Sequence, residues 1–209
     1  MVAIVDYGVG NLFSLRSSFA AVGAEALVTG DRETIAGADR IVLPGVGAFQ
    51  DAAEKLRARK LDAFLKELAS SGKPLLGICL GMQLLFDKSF EYGEHAGLGL
   101  LRGEVVPLSE RVPAELKIPH MGWNPLSFTG GRHPLFKYVK EGECMYFVHS
   151  FCAEKCEESV IATAEYGCAV TAAAAKKNVM GCQFHPEKSG DAGLRILQAF
   201  CEMEEEKTC

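Results

Sequence analysis

Three short stretches of this chain combine residue types that do nucleophilic chemistry. In Gly77-Ile78-Cys79-Leu80-Gly81 one cysteine stands between two glycines, directly after an apolar run. That is the order of a nucleophile elbow, glycine-x-nucleophile-x-glycine, with a thiol as the attacking group. The turn is so tight that side chains at the flanking positions would collide, and it holds the nucleophile at the carboxyl end of a strand, where open α/β sheets bind ligands. The helix expected after it would offer free N–H groups and a partial positive charge to a thiolate. The rival reading of Cys79 alone is a buried core thiol beside an ordinary βα turn.

His185-Pro186-Glu187 follows the apolar stretch 179–184. In an extended segment, residues two apart face the same way. Glu187 would then orient one nitrogen of His185 and leave the other to exchange a proton with the thiol. The 106 positions from Cys79 to His185 are no obstacle, since such sets assemble in space. Pro44-Gly45-Val46-Gly47-Ala48-Phe49 is the third stretch. Attack on an amide makes an oxyanion that needs aimed N–H donors. Leu80, just after the nucleophile, can supply one, and a glycine-rich loop can turn a second toward the site. The same loop also suits a plain βα turn; no Gly-Lys-Ser/Thr follows, which excludes a Walker phosphate loop. Among the other histidines, His95 and His133 are expected to be solvated in polar loops. His120 and His149, beside aromatic and apolar residues, are expected to be structural or to shape the substrate site.

The elements around these stretches alternate. Apolar strands are expected at 2–5, 24–28, 40–43 and 75–78. Between them come a helix capped by Asn11, with Leu12, Leu15, Phe19 and Val22 at helical spacing, and one long amphipathic helix over 51–70. Another helix opens at 81–86. Continuously apolar strands separated by helices imply a mostly parallel sheet covered on both faces. Beyond residue 100, strand-like runs at 144–149, 159–164, 169–174 and 179–184 suggest antiparallel additions at one sheet edge. A helix over 192–205 closes the chain. With 209 residues and no linker or repeat, one α/β domain spanning 1–209 is expected.

Composition narrows the function classes. Hydrophobic content is 48%, enough for a sizeable core, and the net charge of −5 with no basic stripe argues against nucleic-acid binding. No run approaches the ~18 apolar residues of a membrane helix. The start, Met1-Val2-Ala3-Ile4-Val5-Asp6, lacks the cationic and apolar blocks of a signal peptide, so a cytoplasmic location is expected. Eight cysteines in such a chain are expected to be free thiols, one chemical and seven structural or incidental. Cys152 and Cys156 have no second pair at zinc-finger spacing, and neither a metal nor a cofactor is expected.

Together, Pro44-Gly45-Val46-Gly47, Gly77-Ile78-Cys79-Leu80-Gly81-Met82-Gln83 and Gln183-Phe184-His185-Pro186-Glu187 resemble the class I (triad) glutamine amidotransferases in order and spacing, over essentially the whole chain. Within that family, Asp6-Tyr7-Gly8-Val9-Gly10-Asn11, the Gly45-Val46-Gly47-Ala48-Phe49 form of the loop, His120-Met121-Gly122-Trp123-Asn124, Phe147-Val148-His149-Ser150 and Lys188-Ser189-Gly190 resemble the glutaminase subunits of imidazole glycerol phosphate synthase. The resemblance implies Cys79, His185 and Glu187 as a triad, Gly47 and Leu80 at the oxyanion, and Gln83, His149, Ser150 and Phe151 at the glutamine. It further implies that ammonia passes to a separate (β/α)8-barrel cyclase subunit in histidine synthesis, with Asn11, Trp123, Tyr146 and Lys188 facing that partner. Phe151 departs from the tyrosine that relatives often carry. The rival readings are a similar glutaminase feeding a surface-sugar (nonulosonic acid) pathway, a stand-alone thiol hydrolase of the same topology, and a non-catalytic binding module.

Overall fold

The computed structural model describes residues 1–203. Fourteen strands and six helices form in chain order: β1 Val2–Val5, α1 Leu12–Ala21, β2 Ala26–Thr29, α2 Arg32–Gly37, β3 Arg40–Leu43, α3 Phe49–Ala58, α4 Leu61–Ser70, β4 Leu75–Ile78, α5 Leu80–Leu84, β5 Lys88–Ser89, β6 His95–Ala96, β7 Glu104–Pro107, β8 His120–Pro125, β9 Ser127–Phe128, β10 Cys144–His149, β11 Phe151–Glu154, β12 Val160–Glu165, β13 Ala169–Lys176, β14 Val179–Cys182 and α6 Gly190–Cys201. The main sheet runs β2-β1-β3-β4-β14-β13-β12-β9. Its first five strands are parallel, and the last three are added antiparallel.

Alternate residues of the central strands feed opposite faces of this sheet. Ala3, Val5, Ile41, Leu43 and Leu75 pack under α2–α4, while Val2, Ile4, Val42, Leu76 and Ile78 pack with α1, α6 and the β10 side chains Met145 and Phe147. Burial on both faces is why these strands read as unbroken apolar runs.

Strand register decides which loops become neighbours. Leu43 on β3 and Gly181 on β14 both lie opposite Gly77 on β4. The segments that leave the three carboxyl ends therefore emerge side by side: 44–48, 79–81 and 183–187. The Cys79 N–H extends the ladder by donating to Cys182 O at 2.8 Å.

Several expectations are corrected. The single helix over 51–70 is two helices, broken where Lys60 takes a left-handed conformation (φ 55°). Leu56 and Leu61 are both buried, yet five positions in a continuous helix would turn them roughly 140° apart. The break lets both face the core, and Arg59 at the break donates to Asp6 O at 2.8 Å. A short helix missed by periodicity, α2, is capped by the Asp31 carboxylate, which accepts from Thr34 N–H at 2.8 Å. Strand β2 starts at Ala26 because Ala24 N–H closes α1 on Phe19 O. Asn11 occupies the N-cap position of α1, but its side chain makes no capping bond. Strand β14 is not an antiparallel addition to its inner neighbour: it runs parallel to β4 and joins β13 through a tight turn at left-handed Lys177 (φ 54°). Strand β10 leaves the main sheet and forms a ribbon with β8. The closing helix ends at Cys201, and positions 204 and 205 of its expected span lie outside the described residues.

Asn178 ties this frame together. Its buried side-chain amide donates to Ala69 O and Lys73 O, both at 2.8 Å, and its backbone carbonyl accepts from Leu75 N–H. It thereby joins the end of α4, the start of β4 and the β13–β14 turn. Asn178→Ala removes two buried donors, and the expected loss is about 2 kcal/mol of unfolding free energy. Chemical denaturation measures it, and an unchanged midpoint would show that the clamp does not hold the strand.

Candidate active site

The elbow forms as its glycines require. Cys79 sits at φ 54°, ψ −112°, a conformation costly for any residue with a Cβ and sustained only when its surroundings enforce it. A side chain at Gly77 would meet Gly81 O at 2.6 Å, and one at Gly45 would meet Gly81 N at 2.6 Å. The glycines thus let the β3 loop, the end of β4 and the start of α5 close on one another. At five residues, α5 is shorter than expected and has little macrodipole. The positive neighbour of the thiol is His185 instead.

His185 and Glu187 meet, though not by the route expected. Residues 186–188 form a 3-10 turn rather than an extended segment, and His185 Nδ1 lies 2.8 Å from Glu187 Oε1. The backbone of His185 is gripped on both sides: its N–H donates to Tyr146 O at 2.9 Å, and Ser189 Oγ donates to its carbonyl at 2.6 Å. Burial by itself would lower the imidazole's pKa. Hydrogen bonds with Cys79 and Glu187, and the negative charges those groups can carry, outweigh it and raise the pKa to about 9. Glu187 Oε2 is buried without a partner among the described residues, which makes the imidazolium its natural counter-charge.

The glycine-rich loop is pinned at both ends. Tyr7 Oη donates to Pro44 O at 2.7 Å, and Glu91 Oε2 accepts from Phe49 N–H at 2.7 Å. Burial raises the Glu91 carboxyl, against the opposing pull of that hydrogen bond. Between the pins, Val46 and Gly47 are exposed, with Gly47 at φ 90°.

A cleft of about 390 Å3 opens here, lined by Gly47, Cys79, Leu80, Gln83, His149, Ser150, Phe151, His185 and Lys188 together with Val46, Glu91, Tyr92, Pro119 and Val148. It is at the small end of ligand sites. Every catalytic, oxyanion and substrate candidate except Glu187 lines it, and Glu187 stands behind His185. The side-chain amide of Gln83 is already engaged, donating to Phe151 O at 3.1 Å and Gln183 Oε1 at 3.0 Å. Gln183 in turn directs its Nε2 at Cys79 Sγ (3.7 Å). Trp123 and Tyr146 meet edge to face at 5.9 Å across the β8–β10 ribbon, and Lys188 Nζ lies 5.9 Å from the Tyr146 ring. Asn11 lies half-buried on the β1–α1 loop, whose Gly10 packs against Pro44.

Glu91, Tyr92 and Gln183 were not singled out from the sequence. Gln183 stood inside a recognised motif, whereas Glu91 lies in a polar stretch whose place beside the loop is purely tertiary. The expectation of solvated His95 and His133 is corrected. His133 Nδ1 accepts from Leu135 N–H at 3.2 Å and burial lowers its pKa, and His95 Nε2 is buried. Seven cysteines are free, and Cys209 lies outside the described residues. Burial raises the Cys152 thiol to about 12 and also raises those of Cys156, Cys168, Cys182 and Cys201, which makes them poor nucleophiles. Among the described residues, no group of three or more His, Cys, Asp or Glu could hold a metal ion, and no helix is long and apolar enough to cross a membrane.

Known proteins match this arrangement. The family model for glutamine amidotransferase class-I matches residues 3–203. The imidazole glycerol phosphate synthase subunit HisH of Wolinella succinogenes is 50% identical over 205 residues, covering 97% of this chain and 100% of that protein. The protein of the same name from Bacillus velezensis is 48% identical over 210 residues, covering 99% and 98%. A solved glutamine amidotransferase superposes with a TM-score of 0.74 at 18% identity, covering 96% of this chain and 98% of that one. PurLQS from Thermotoga maritima gives 0.74 at 21%, covering 96% of each. At such low identity these two structures speak for the fold.

The strain at Cys79 is testable without any activity. Cys79→Gly relieves the positive φ, whereas Cys79→Ala keeps it. The glycine variant is expected to be about 1 kcal/mol more stable than the alanine variant, even after glycine's greater entropy cost on folding. Thermal melts of the pair measure this, and a glycine variant no more stable than the alanine variant would remove the strain argument.

Proposed function

The chain belongs to the glutamine amidotransferase class-I family, and on that premise we propose that it is the glutamine-hydrolysing subunit of an imidazole glycerol phosphate synthase. The observation that carries the chemistry is Cys79, raised on a strained elbow between a pinned glycine loop on one neighbouring strand and His185 on the other.

In this reading the Cys79 thiolate attacks the γ-amide carbon of glutamine, and N–H groups from Leu80 and the Gly47 loop receive the oxyanion. As the C–N bond breaks, the His185 imidazolium gives its proton to the departing ammonia, leaving a thioester. Water then attacks the thioester, its proton passing to His185, and glutamate leaves as the Cys79–carbon bond breaks. Glu187 orients His185, and the 2.8 Å contact supports that role. The raised pKa of His185 supports an imidazolium ready for the first step. Gln83, His149, Ser150 and Phe151 surround the substrate. Because two of Gln83's contacts are already internal, its part is to hold the Phe151 carbonyl as much as to touch glutamine.

The ammonia goes to a cyclase subunit of the same synthase, which we take to be a (β/α)8 barrel in the cytoplasm. Met121 and Trp123, 61% and 55% exposed, project from the outward face of β8, and with Asn11, Tyr146 and Lys188 they would form the surface for it. Lys188 both lines the cleft and stacks near Tyr146, so a partner seated there would adjoin the chemistry directly.

Glutamine turnover with and without the purified cyclase subunit and its ribotide tests the reading. Slow hydrolysis alone and faster hydrolysis in the complex are expected, and no binding to that subunit would overturn it. Cys79→Ala should abolish turnover while leaving complex formation intact. The pH profile depends on His185. Its proton is present below a pKa of about 9 and lost above it, so kcat/KM should fall as pH rises through about 9. Glu187→Gln removes a raising influence and should move that alkaline limb to lower pH and slow turnover by about 10²-fold. An unmoved limb would exclude Glu187 as the orienting group.

A further inference from the structure

Behind the cleft runs a chain of polar contacts that ends in an acceptor on both sides. His149 Nδ1 lies 2.8 Å from Phe151 O, and His149 Nε2 lies 2.9 Å from His120 Nδ1. His120 Nε2 lies 2.7 Å from the Asn124 amide, which reaches Glu165 O at 2.9 Å. His120 is fully buried and His149 nearly so.

These contacts number four, and each needs one hydrogen. The carbonyls of Phe151 and Glu165 can only accept. A neutral imidazole supplies one hydrogen, and an amide bridging two partners supplies one. Two neutral histidines and Asn124 thus bring three hydrogens to four contacts. Flipping the amide or switching a tautomer moves the deficit along the chain without removing it. In every neutral arrangement two lone pairs face each other at hydrogen-bond distance. One added proton satisfies all four contacts.

We propose that His120 and His149 share one proton, and that this singly charged pair holds the Val148–Phe151 segment against Cys79, making His120 a positioning residue for amide hydrolysis. This rests on the function proposed for the chain.

The surroundings suit one charge and resist two. His120 stacks on Tyr166 at 4.0 Å and on Phe147 at 5.0 Å between ring centroids, and aromatic faces favour a cationic ring. Among the described residues, the ionisable groups that reach the pair are His185, whose positive charge opposes it, and Tyr166, whose hydroxyl is spent on Lys117 O. Burial lowers both imidazoles, His149 to about 4, and a charge on His120 opposes one on His149. A coupled pair loses its protons in two steps. Burial opposes any charge on the pair, the completed hydrogen bonds favour one, and a second charge would add mutual repulsion. The positioning comes from the same atoms. Phe151 O accepts from His149 and from Gln83, and Val148 O lies 3.9 Å from Cys79 Sγ. Loss of the His149 donor would free one of the two side-chain holds on the Phe151 carbonyl.

The test is nitrogen-15 NMR of the histidine rings in the full chain, with resonances assigned from His120→Asn and His149→Asn. At pH 7, protonated outer nitrogens and one proton between the two inner nitrogens are expected. Two ordinary neutral rings would overturn the proposal. Glutamine kinetics in the cyclase complex form the second arm. His120→Leu should raise KM about tenfold with a smaller change in kcat. His120→Asn, which donates to His149 without needing an extra proton, should recover most of the loss. An unchanged KM in a folded His120→Leu variant, or no recovery by asparagine, would overturn the positioning role. If His120→Leu does not fold, the ring spectra of the wild-type chain decide. Absence of glutamine turnover in the wild-type complex would sink the function reading and leave the spectra to judge the pair.

Discussion

The structure depends on the close approach of three backbone segments around Cys79. The β3 loop, the end of β4 and the first turn of α5 lie so near one another that no Cβ fits at Gly45, Gly77 or Gly81. That crowding holds Cys79 at a positive φ which an isolated chain would abandon. It is tolerable because β4 lies among five parallel strands with both faces buried. The cost of the strain is spread over a core that cannot easily move.

The same register sets the neighbours of Cys79. β3 and β14 flank β4 with Leu43 and Gly181 both opposite Gly77. One neighbour therefore delivers a glycine loop and the other delivers His185. Neither is carried on a free loop. Tyr7 and Glu91 pin the first, and Tyr146 O and Ser189 hold the second. Strand β10 serves twice, anchoring His185 through Tyr146 and carrying His149 at its far end. Two imidazole systems thus converge on one cleft. One is biased toward the charged form by Glu187 and the thiol; the other is bounded by carbonyls that leave it one hydrogen short.

The elements that position the site were largely legible. Apolar runs bounded by Gly, Pro or Asp marked β1, β3 and β4, because strands buried on both faces leave an unbroken apolar signature. Failures came where a local pattern had a tertiary resolution. The stretch 51–70 looks like one amphipathic helix, and only the need to bury both Leu56 and Leu61 breaks it at Lys60. His185 and Glu187 were paired on the geometry of an extended segment, but the pairing arises in a 3-10 turn. His133 looked solvated because its neighbours are polar, yet it accepts a hydrogen bond at the start of a turn that buries Leu135 and Phe136.

By itself the sequence determined the cysteine elbow, the histidine–glutamate pair, the glycine loop and the alternation that makes a parallel sheet, because each is written in residues close along the chain. Only the tertiary structure decided which strands are neighbours. That choice brings the three segments together, sets Glu91 at the foot of the loop, and joins His120 to His149 across the β8–β10 ribbon. The physical reason is that strand order and the pairing of buried polar groups are set by what the whole fold must bury and satisfy, which no local spacing records.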